Sequence, residues 1–383
     1  MNFLIAPNAL KGSLSAPNAA RIIAKALQDM LPDANRVLCP ISDGGNGTLD
    51  CLVGATHGTF FSASVRGPLA SMTVNARWGI LGDGTTAVIE MAEAAGLHLL
   101  HQGQLDAAHA TTFGVGQLMC EAIKSGRKKI IVGMGGSATN DGGSGCAKAL
   151  GVKFLDGDHV ELPDGGIHLS RLRRIEMKNE ELTIKNTEII GLSDVTNILC
   201  GPEGASFTFA SQKGATAEQV RNLDDALENY ASIVERTLHR NVSLIPGSGA
   251  AGGLGAGLLA FCNATIVSGI DFVLDALHFD DLLRQCDCVI TAEGMLDSQT
   301  LRGKGLHGIA RRAQKLGKPV HAFAGKIRGN RAILQSQLGL ATLRQISPED
   351  LTTEKAMRNA ESLLFKGIEE FLTMKVLTNT KEQ

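Results

Sequence analysis

The feature that most constrains the fold is a loop of twelve residues, 134–145, between a strand-like run and a helix-like run. Residues 128–132 (KKIIV) are short, β-branched and apolar, as in a buried strand. Residues 146–152 (CAKALGV) resemble a helix start. Glycine lets the loop backbone approach a ligand closely, and the following helix N-terminus favours anions such as phosphate. A surface turn would not need five glycines, so we predict an anion-binding loop that includes Gly135, Gly136 and Ser137.

Strand and helix patterns also alternate elsewhere in the chain. Strands are predicted at residues 2–6, 36–41, 188–192, 286–292 and 319–324, helices at 15–31 and 217–238, and an antiparallel hairpin within 60–81. The hairpin interrupts a βα pattern that resumes near residue 286, which indicates an inserted middle domain. We therefore predict an α/β protein in which residues 1–60 and 265–383 share one parallel sheet. Residues 61–264 would form a second, mixed α/β domain.

Length and composition narrow the class of protein. Since single cores stop growing at about 250–300 residues, a chain of 383 residues favours two domains. A formal net charge of -2 argues against nucleic acid or an anionic membrane as a partner. No apolar stretch of about 18 residues occurs, and the first residues lack a signal-peptide pattern. Eight scattered cysteines, with no C-x-x-C pair, favour reduced thiols and a cytoplasmic location.

Four other loops combine glycine with a charged residue near the predicted end of a strand. Lys11 can meet a phosphate or carboxylate, or it can be a solvated lysine at a helix start. Asp43, before Gly44 and Gly45, can bind a ligand or cap the following helix. Asp194, with Thr196 and Asn197, offers oxygen atoms that suit Mg²⁺ or a substrate hydroxyl. The fourth loop carries Glu293, Asp297 and Lys304; its two carboxylates share a face if the segment is helical, and in a loop they can still converge on one metal ion.

Gly247, Gly249 and Gly252 match the G-x-G-x-x-G pattern of dinucleotide-binding proteins, and Asp271 lies near the position of a ribose-binding acid. The extra glycines at 253, 255 and 257 are unfavourable in the first turns of the helix that should follow such a motif. Close helix packing, or a flexible loop over a nucleotide, is therefore favoured over NAD binding. A dehydrogenase remains the alternative enzyme.

Motifs for other chemistries are missing from the sequence. It has no G-x-x-x-x-G-K-[ST], no H-E-x-x-H and no nucleophile elbow after a strand. Several glycine-rich loops with lysine, aspartate and asparagine suit phosphoryl transfer, which needs positioning and charge neutralisation rather than a covalent catalyst.

Six segments in order resemble the type-1 glycerate kinase family across about residues 2–370: APNALKGSLSA, PISDGGNGT, GMGGSATNDGG, DVTN, PGSGAAGGLGAGLLAF and TAEGMLDSQT. The resemblance implies phosphorylation of D-glycerate with ATP and Mg²⁺, giving 2-phosphoglycerate in bacterial catabolic members. It also implies two α/β domains around a cleft, one of them Rossmann-like. This chain departs from the family pattern at Ala292, at Ile198 and in residues 209–215 (FASQKGA), but it keeps the charged residues.

With this resemblance, we assign hypothetical roles to the loop residues. Asp194 is the candidate general base on the glycerate hydroxyl or a Mg²⁺ ligand, and Lys11 and Lys304 are candidates for the γ-phosphate or the glycerate carboxylate. The candidates for metal and substrate contacts are Asn140, Asp141, Glu293 and Asp297. A sugar-acid-binding protein without catalysis remains an alternative to both enzymes, and the chain would act as a monomer or homodimer.

Overall fold

The computed structural model describes residues 1–177, 184, 186–297, 300–301 and 305–379. The chain divides into two compact units, unit 1 (Met1–Asp43 and Ile270–Gln383) and unit 2 (Gly44–Gly269). The strands of the described residues are β1 (Asn2–Ile5), β2 (Asn35–Leu38), β3 (Thr59–Arg66), β4 (Thr73–Ile80), β5 (Thr86–Glu90), β6 (Lys129–Gly133), β7 (Val152–Leu155), β8 (Arg174–Met177), β9 (Glu188–Leu192), β10 (Thr265–Val267), β11 (Cys288–Leu296), β12 (Val320–Ile327) and β13 (Thr342–Gln345). The α-helices are α1 (Ala16–Met30), α2 (Thr48–Ala55), α3 (Ala92–Ala95), α4 (Phe113–Lys124), α5 (Ser144–Ala149), α6 (Ala217–Leu238), α7 (Ala250–Phe261), α8 (Gly269–Ala276), α9 (Phe279–Gln285), α10 (Gly305–Lys315), α11 (Arg331–Gln337), α12 (Thr353–Arg358) and α13 (Ala360–Asn379).

Unit 1 contains a five-stranded parallel sheet in the order β13-β12-β11-β1-β2. The chain order runs outward in both directions from the pair β1 and β11, where Ile5 lies opposite Ile290. A reversal of this kind opens a crevice at the carboxyl ends of the strands. The sheet joins N-terminal and C-terminal segments of the chain, which confirms the predicted shared parallel sheet.

The two faces of this sheet are both covered. Side chains alternate along a strand, so neighbours on β1 enter different apolar clusters. Phe3 and Ile5 pack with residues of α1 and α13, including Phe371. Leu4 packs on the other face with residues of α8, α9 and α10, including Leu274. Helices on both faces are the usual cover of a parallel sheet, so unit 1 is Rossmann-like as predicted.

Unit 2 contains a six-stranded mixed sheet in the order β10-β9-β6-β5-β4-β3. The first four of these strands are parallel, and β4 runs antiparallel to both β5 and β3. Strands β3 and β4 are the hairpin predicted for residues 60–81. Trp78 of β4 is buried and stacks on Phe61, with ring centroids 4.9 Å apart. The predicted fold class, with a parallel sheet and an inserted mixed α/β domain, is confirmed.

Some boundaries differ from the predicted ones for local reasons. Strand β11 continues past the apolar run to Leu296, because Met295 and Leu296 still pair with Lys326 and Ile327 of β12. The C-terminal segment forms two helices, α12 and α13, and not one. Helix α6 has the predicted bounds and begins with a capping box at Thr216. Among the described residues, no helix is long and apolar enough to span a membrane.

Candidate active site

Unit 1 has a pocket of about 340 Å³ at the carboxyl edge of its sheet. Three predicted site residues line it: Lys11 follows β1, Asp43 follows β2 and Glu293 lies in β11. The residues that end β12 and begin the loop after β13 also contribute to its walls. The pocket therefore occupies the crevice that the reversed strand order creates, where ligands bind in open α/β sheets.

The lining of this pocket has two kinds of surface. Its cationic side chains are Lys11, Lys326 and Arg328, and much of the remaining wall is apolar, with Leu10, Met295, Ile346, Leu351 and Met357. At Gly294 an added Cβ would lie 3.1 Å from the backbone nitrogen of Lys11, so the loop after β1 approaches the strand closely. Apolar walls with a few charged groups are typical of small-molecule sites, and cations bind phosphate groups.

Glu293 and Asp297 lie on an extended segment and not on a helix. Glu293 is within β11, and Asp297 follows its last residue. The helical alternative for this segment is therefore wrong. Four positions along a strand correspond to about 13 Å, so the backbone holds the two carboxylates apart. Lys304 lies outside the described residues.

In unit 2, the glycine-rich loop follows β6 and packs against a second glycine-rich loop. The N–H of Gly135 donates to the carbonyl oxygen of Gly44 at 3.1 Å. A Cβ at Gly136, which has φ of +74°, would lie 2.0 Å from Asn46 Oδ1. The N–H of Ala138 also donates within the protein, to Ala95. Close packing of the backbone thus explains why residues 135 and 136 are glycines. The N–H groups of Gly135 and Ala138, which were predicted to be available to an anion, instead donate to carbonyl oxygens of the protein.

Asp141 is fully buried and anchors the start of α5. Its Oδ2 accepts hydrogen bonds from the N–H and hydroxyl of Thr112, at 2.8 and 2.9 Å, and from the N–H of Gly145. Its Oδ1 accepts one from the N–H of Gly143 at 3.1 Å. Burial raises the pKa of Asp141, and these hydrogen bonds oppose the shift. This carboxylate thus accepts four hydrogen bonds from three residues inside unit 2.

Asn140 and Lys213 connect the same loop to residues 206–213, which form a π-helical turn followed by a 3₁₀ turn. Asn140 Nδ2 donates to Ser206 Oγ at 2.9 Å. Lys213 Nζ donates to Ser137 Oγ at 2.8 Å and to the carbonyl oxygen of Thr139 at 2.7 Å. Burial lowers the pKa of Lys213 to about 7. Lys213 is not among the predicted site residues, although it lies in the FASQKGA stretch that departs from the family pattern.

Asp194 lies just beyond β9, and Ser268, just beyond the neighbouring β10, donates to Asp194 Oδ1 at 3.0 Å. Asp194 thus lies at the carboxyl end of a strand, the position at which the sequence predicts a catalytic carboxylate. Its partner Ser268 has no signal in the sequence, because it becomes a neighbour only through the pairing of β9 with β10.

Residues 247–253 pack between the segment after β9 and the glycine-rich loop. The N–H of Gly249 donates to the carbonyl oxygen of Asn197. Gly252 has φ of +67°, and a Cβ there would lie 2.0 Å from the carbonyl oxygen of Thr139. A Cβ at Gly247 would lie 3.0 Å from Ile266. Gly249 and Gly252 therefore lie close to neighbouring backbone, and Gly247 lies close to the Ile266 side chain.

The dinucleotide-binding interpretation of this motif is wrong. The fingerprint requires a strand immediately before the glycines, whereas α6 is the regular element that precedes them, and residues 239–249 contain no strand. The expected ribose-binding acid, Asp271, is paired with Arg311 and Arg312 in unit 1.

Glu90, the last residue of β5, is a further buried carboxylate that the sequence reasoning missed. Its Oε2 accepts hydrogen bonds from the N–H groups of Gly47 and Leu49, at 3.0 and 3.2 Å, and so caps the start of α2. Burial raises the pKa of Glu90 to about 7, with smaller contributions from the charges of Glu93 and Asp50. The sequence feature that could have identified Glu90 is its position as a carboxylate at the end of an apolar strand.

The structure thus places the predicted site residues in two groups. In unit 1, Lys11, Asp43 and Glu293 line one pocket, and Asp297 follows the same strand as Glu293. The members in unit 2, at or near the carboxyl edge of its sheet, are Gly135, Gly136, Ser137, Asn140, Asp141, Asp194, Gly247, Gly249 and Gly252. Within the described part of the chain, no three His, Cys, Asp or Glu side chains form a metal-binding group by themselves.

Comparison with known proteins gives matches along nearly the whole chain. Residues 3–375 match the model of the glycerate kinase family. The chain is 42% identical to a glycerate 2-kinase of Escherichia coli and 41% identical to a glycerate kinase of Halalkalibacterium halodurans, with 94% of each chain covered in both cases. A crystal structure of a protein provisionally named glycerate kinase 2, from Salmonella typhimurium, has 39% identity and a TM-score of 0.82 over 100% of both chains.

Proposed function

Because this chain belongs to the glycerate kinase family and is an enzyme of that kind, we propose that it transfers the γ-phosphoryl group of ATP to D-glycerate. The product would be 2-phosphoglycerate. The name of the similar Escherichia coli protein, glycerate 2-kinase, supports this choice of hydroxyl.

The observation that carries the proposal is the pocket of unit 1. Its apolar walls suit the base of a nucleotide, and Lys11, Lys326 and Arg328 suit its phosphates. Asp43 and Glu293 add carboxylate oxygens, the ligands that Mg²⁺ prefers, and Mg²⁺ is commonly held by one or two carboxylates together with substrate phosphates. The residues therefore fit a Mg²⁺–nucleotide complex, in which ATP supplies the phosphoryl group and Mg²⁺ neutralises its charge. A role for Asp297 or Lys304 in this complex stays a prediction.

The protein residues supply positioning and charge. Lys11 would bind a phosphate oxygen and stabilise the charge of the transferred group. Asp194 would accept the proton of the glycerate hydroxyl, and Ser268 would orient the carboxylate through its hydrogen bond. The loop around Ser137 and Asn140 would contact the substrate.

The reaction is tested by a coupled assay for ADP release with ATP, Mg²⁺ and D-glycerate, followed by phosphorus NMR of the product. Phosphate at carbon 2 is the expected result. Phosphate at carbon 3 would contradict the proposed product, and absence of ADP release would favour a non-catalytic sugar-acid-binding protein.

Two variants test the roles of the side chains. Asp194→Asn is expected to lower kcat by about a hundredfold or more, as for loss of a general base. Lys11→Met is expected to lower kcat/KM for ATP by a similar factor of about a hundred. The matched controls are Asp225→Asn and Lys315→Met, which change exposed residues of the same units. A folded Asp194→Asn enzyme with wild-type turnover would refute the assignment of the base.

We also propose a cytoplasmic location, because all eight cysteines are thiols and none is in a disulfide. The prediction of a monomer or homodimer is tested by light scattering of the purified chain.

A further inference from the structure

Lys213 is a buried lysine that the proposed mechanism does not use. It is 2% exposed, whereas lysine is almost never buried unless it is paired. Its ammonium group contacts two oxygens of the glycine-rich loop, Ser137 Oγ at 2.8 Å and the carbonyl oxygen of Thr139 at 2.7 Å. The position of this amine beneath the loop therefore needs an explanation.

The two oxygens that Lys213 contacts are neutral, so they do not cancel its charge. The Asp141 carboxylate interacts with Lys213 through its charge, but its oxygens accept hydrogen bonds from Thr112, Gly143 and Gly145. A charge in a buried environment acts more strongly on its surroundings than one in water. Burial lowers the pKa of Lys213 to about 7, so Lys213 places positive charge directly under the loop in its protonated form, which predominates below that pH.

Lys213 also determines how Ser137 can bond. A protonated lysine only donates, so Ser137 Oγ accepts from protonated Lys213, and the Ser137 hydroxyl hydrogen must then point towards another acceptor. Ser137 is 9% exposed, whereas Thr139 and Asn140 are fully buried. Of these three residues, Ser137 is therefore the one that keeps some exposed surface for a ligand.

We propose that Lys213 is a positioning residue for an anion-binding subsite at Ser137. In its protonated form it orients the Ser137 hydroxyl as a donor and supplies the positive charge that attracts a carboxylate or phosphoryl oxygen. The inference rests on the proposed function, in which one substrate carries a carboxylate and the other a phosphoryl group.

The test is a set of three variants: Lys213→Met, Ser137→Ala and the double variant. Each single change is expected to raise the KM of one substrate by about tenfold, the effect of losing one charge-assisted contact. The kcat is expected to change less. Because Lys213 acts through Ser137, the double variant should raise KM no more than the larger single change. Lys153→Met, at an exposed lysine of unit 2, is the matched control and should leave both KM values unchanged.

The two sources of the anion are distinguished by which KM rises. A higher KM for D-glycerate identifies the carboxylate, and a higher KM for ATP identifies a phosphoryl group; either result supports the subsite. Two KM values within twofold of wild type would overturn it, and so would independent, multiplicative effects of the single changes. If Lys213→Met fails to fold, Lys213→Gln takes its place in the same set of variants and is judged by the same criteria.

Failure of the proposed function gives a different result. A wild-type chain that shows no ATP-dependent phosphorylation refutes that function. Calorimetric binding of D-glycerate and inorganic phosphate to the wild type and to Lys213→Met then tests the subsite directly. Binding of one anion that weakens about tenfold in the variant supports it, and equal or undetectable binding refutes it.

Discussion

Replacing Glu90 by glutamine changes the charge of a buried side chain while keeping its role as a hydrogen-bond acceptor. In the native chain, one carboxylate oxygen accepts the N–H groups of both Gly47 and Leu49. The amide oxygen of glutamine can accept both. The difference in free energy of unfolding between the native chain and Glu90→Gln therefore measures the free-energy cost of ionising a carboxyl group that is 4% exposed.

The pKa of Glu90 gives the sign and size of the effect. Burial raises this pKa from 4.5 to about 7, so the folded state disfavours the ionised form. Below pH 4.5 the carboxyl is protonated in both states and carries no penalty. Stability then falls as pH rises to about 7, above which the penalty is complete. At about 1.4 kcal/mol for each pH unit of that interval, the full penalty is about 3 kcal/mol.

The assay is urea unfolding followed by the emission of Trp78, the sole tryptophan, which is buried in β4 next to β5. Glu90→Gln is expected to raise the free energy of unfolding by about 3 kcal/mol at pH 8 and by less than about 1 kcal/mol at pH 5. Glu161→Gln, at an exposed glutamate of unit 2, should show no such pH dependence. An equal effect of Glu90→Gln at both pH values would refute the reasoning.

Three further predictions concern unit 2 and the thiols. Tyr230 is fully buried and donates to a backbone carbonyl of the glycine-rich loop at 2.9 Å, so Tyr230→Phe should lower the free energy of unfolding by about 1–2 kcal/mol; an unchanged urea midpoint would contradict this. Gly252→Ala should destabilise unit 2 by about 3 kcal/mol, because its φ is positive and its Cβ would lie too close to Thr139; native stability would exclude the packing role. With an aromatic disulfide reagent at pH 8, the partly exposed Cys120 should be the first thiol to react before unfolding, whereas Cys200 should react slowly because burial raises its pKa to about 12; fast reaction of several thiols would contradict this.

The sequence predicts those parts of the fold that depend on local pattern. The apolar run of β1 and the helical spacing of α6 both appear where they are predicted. Lys11 and Asp43 were predicted to follow strands, and parallel strands bring their carboxyl ends to one edge. The expectation that functional residues follow the carboxyl ends of parallel strands was therefore enough to identify two residues that line one pocket.

Contacts between distant segments could not be predicted in this way. Lys213 reaches Ser137 across 76 positions of the chain, and nothing in the spacing of either residue indicates the pair. The twelve-residue loop has the composition of an anion-binding turn. Several of its N–H groups, among them those of Gly135, Gly143 and Gly145, nevertheless donate inside the protein. Which donors remain for a ligand depends on packing partners that composition does not identify.

The discontinuous sheet of unit 1 has a consequence for synthesis of the chain. Thr291 of β11 donates to the carbonyl oxygen of Ala6 across 285 positions. During synthesis on the ribosome, β1 and β2 emerge early, but β11 becomes available for pairing only after most of the chain has been made. Unit 2 is continuous in sequence and can fold in the interval. During that time β1 lacks the strand that covers one of its edges, and unpaired edges promote association between chains. Nascent chains arrested before β11 should therefore depend more strongly on chaperones than completed chains.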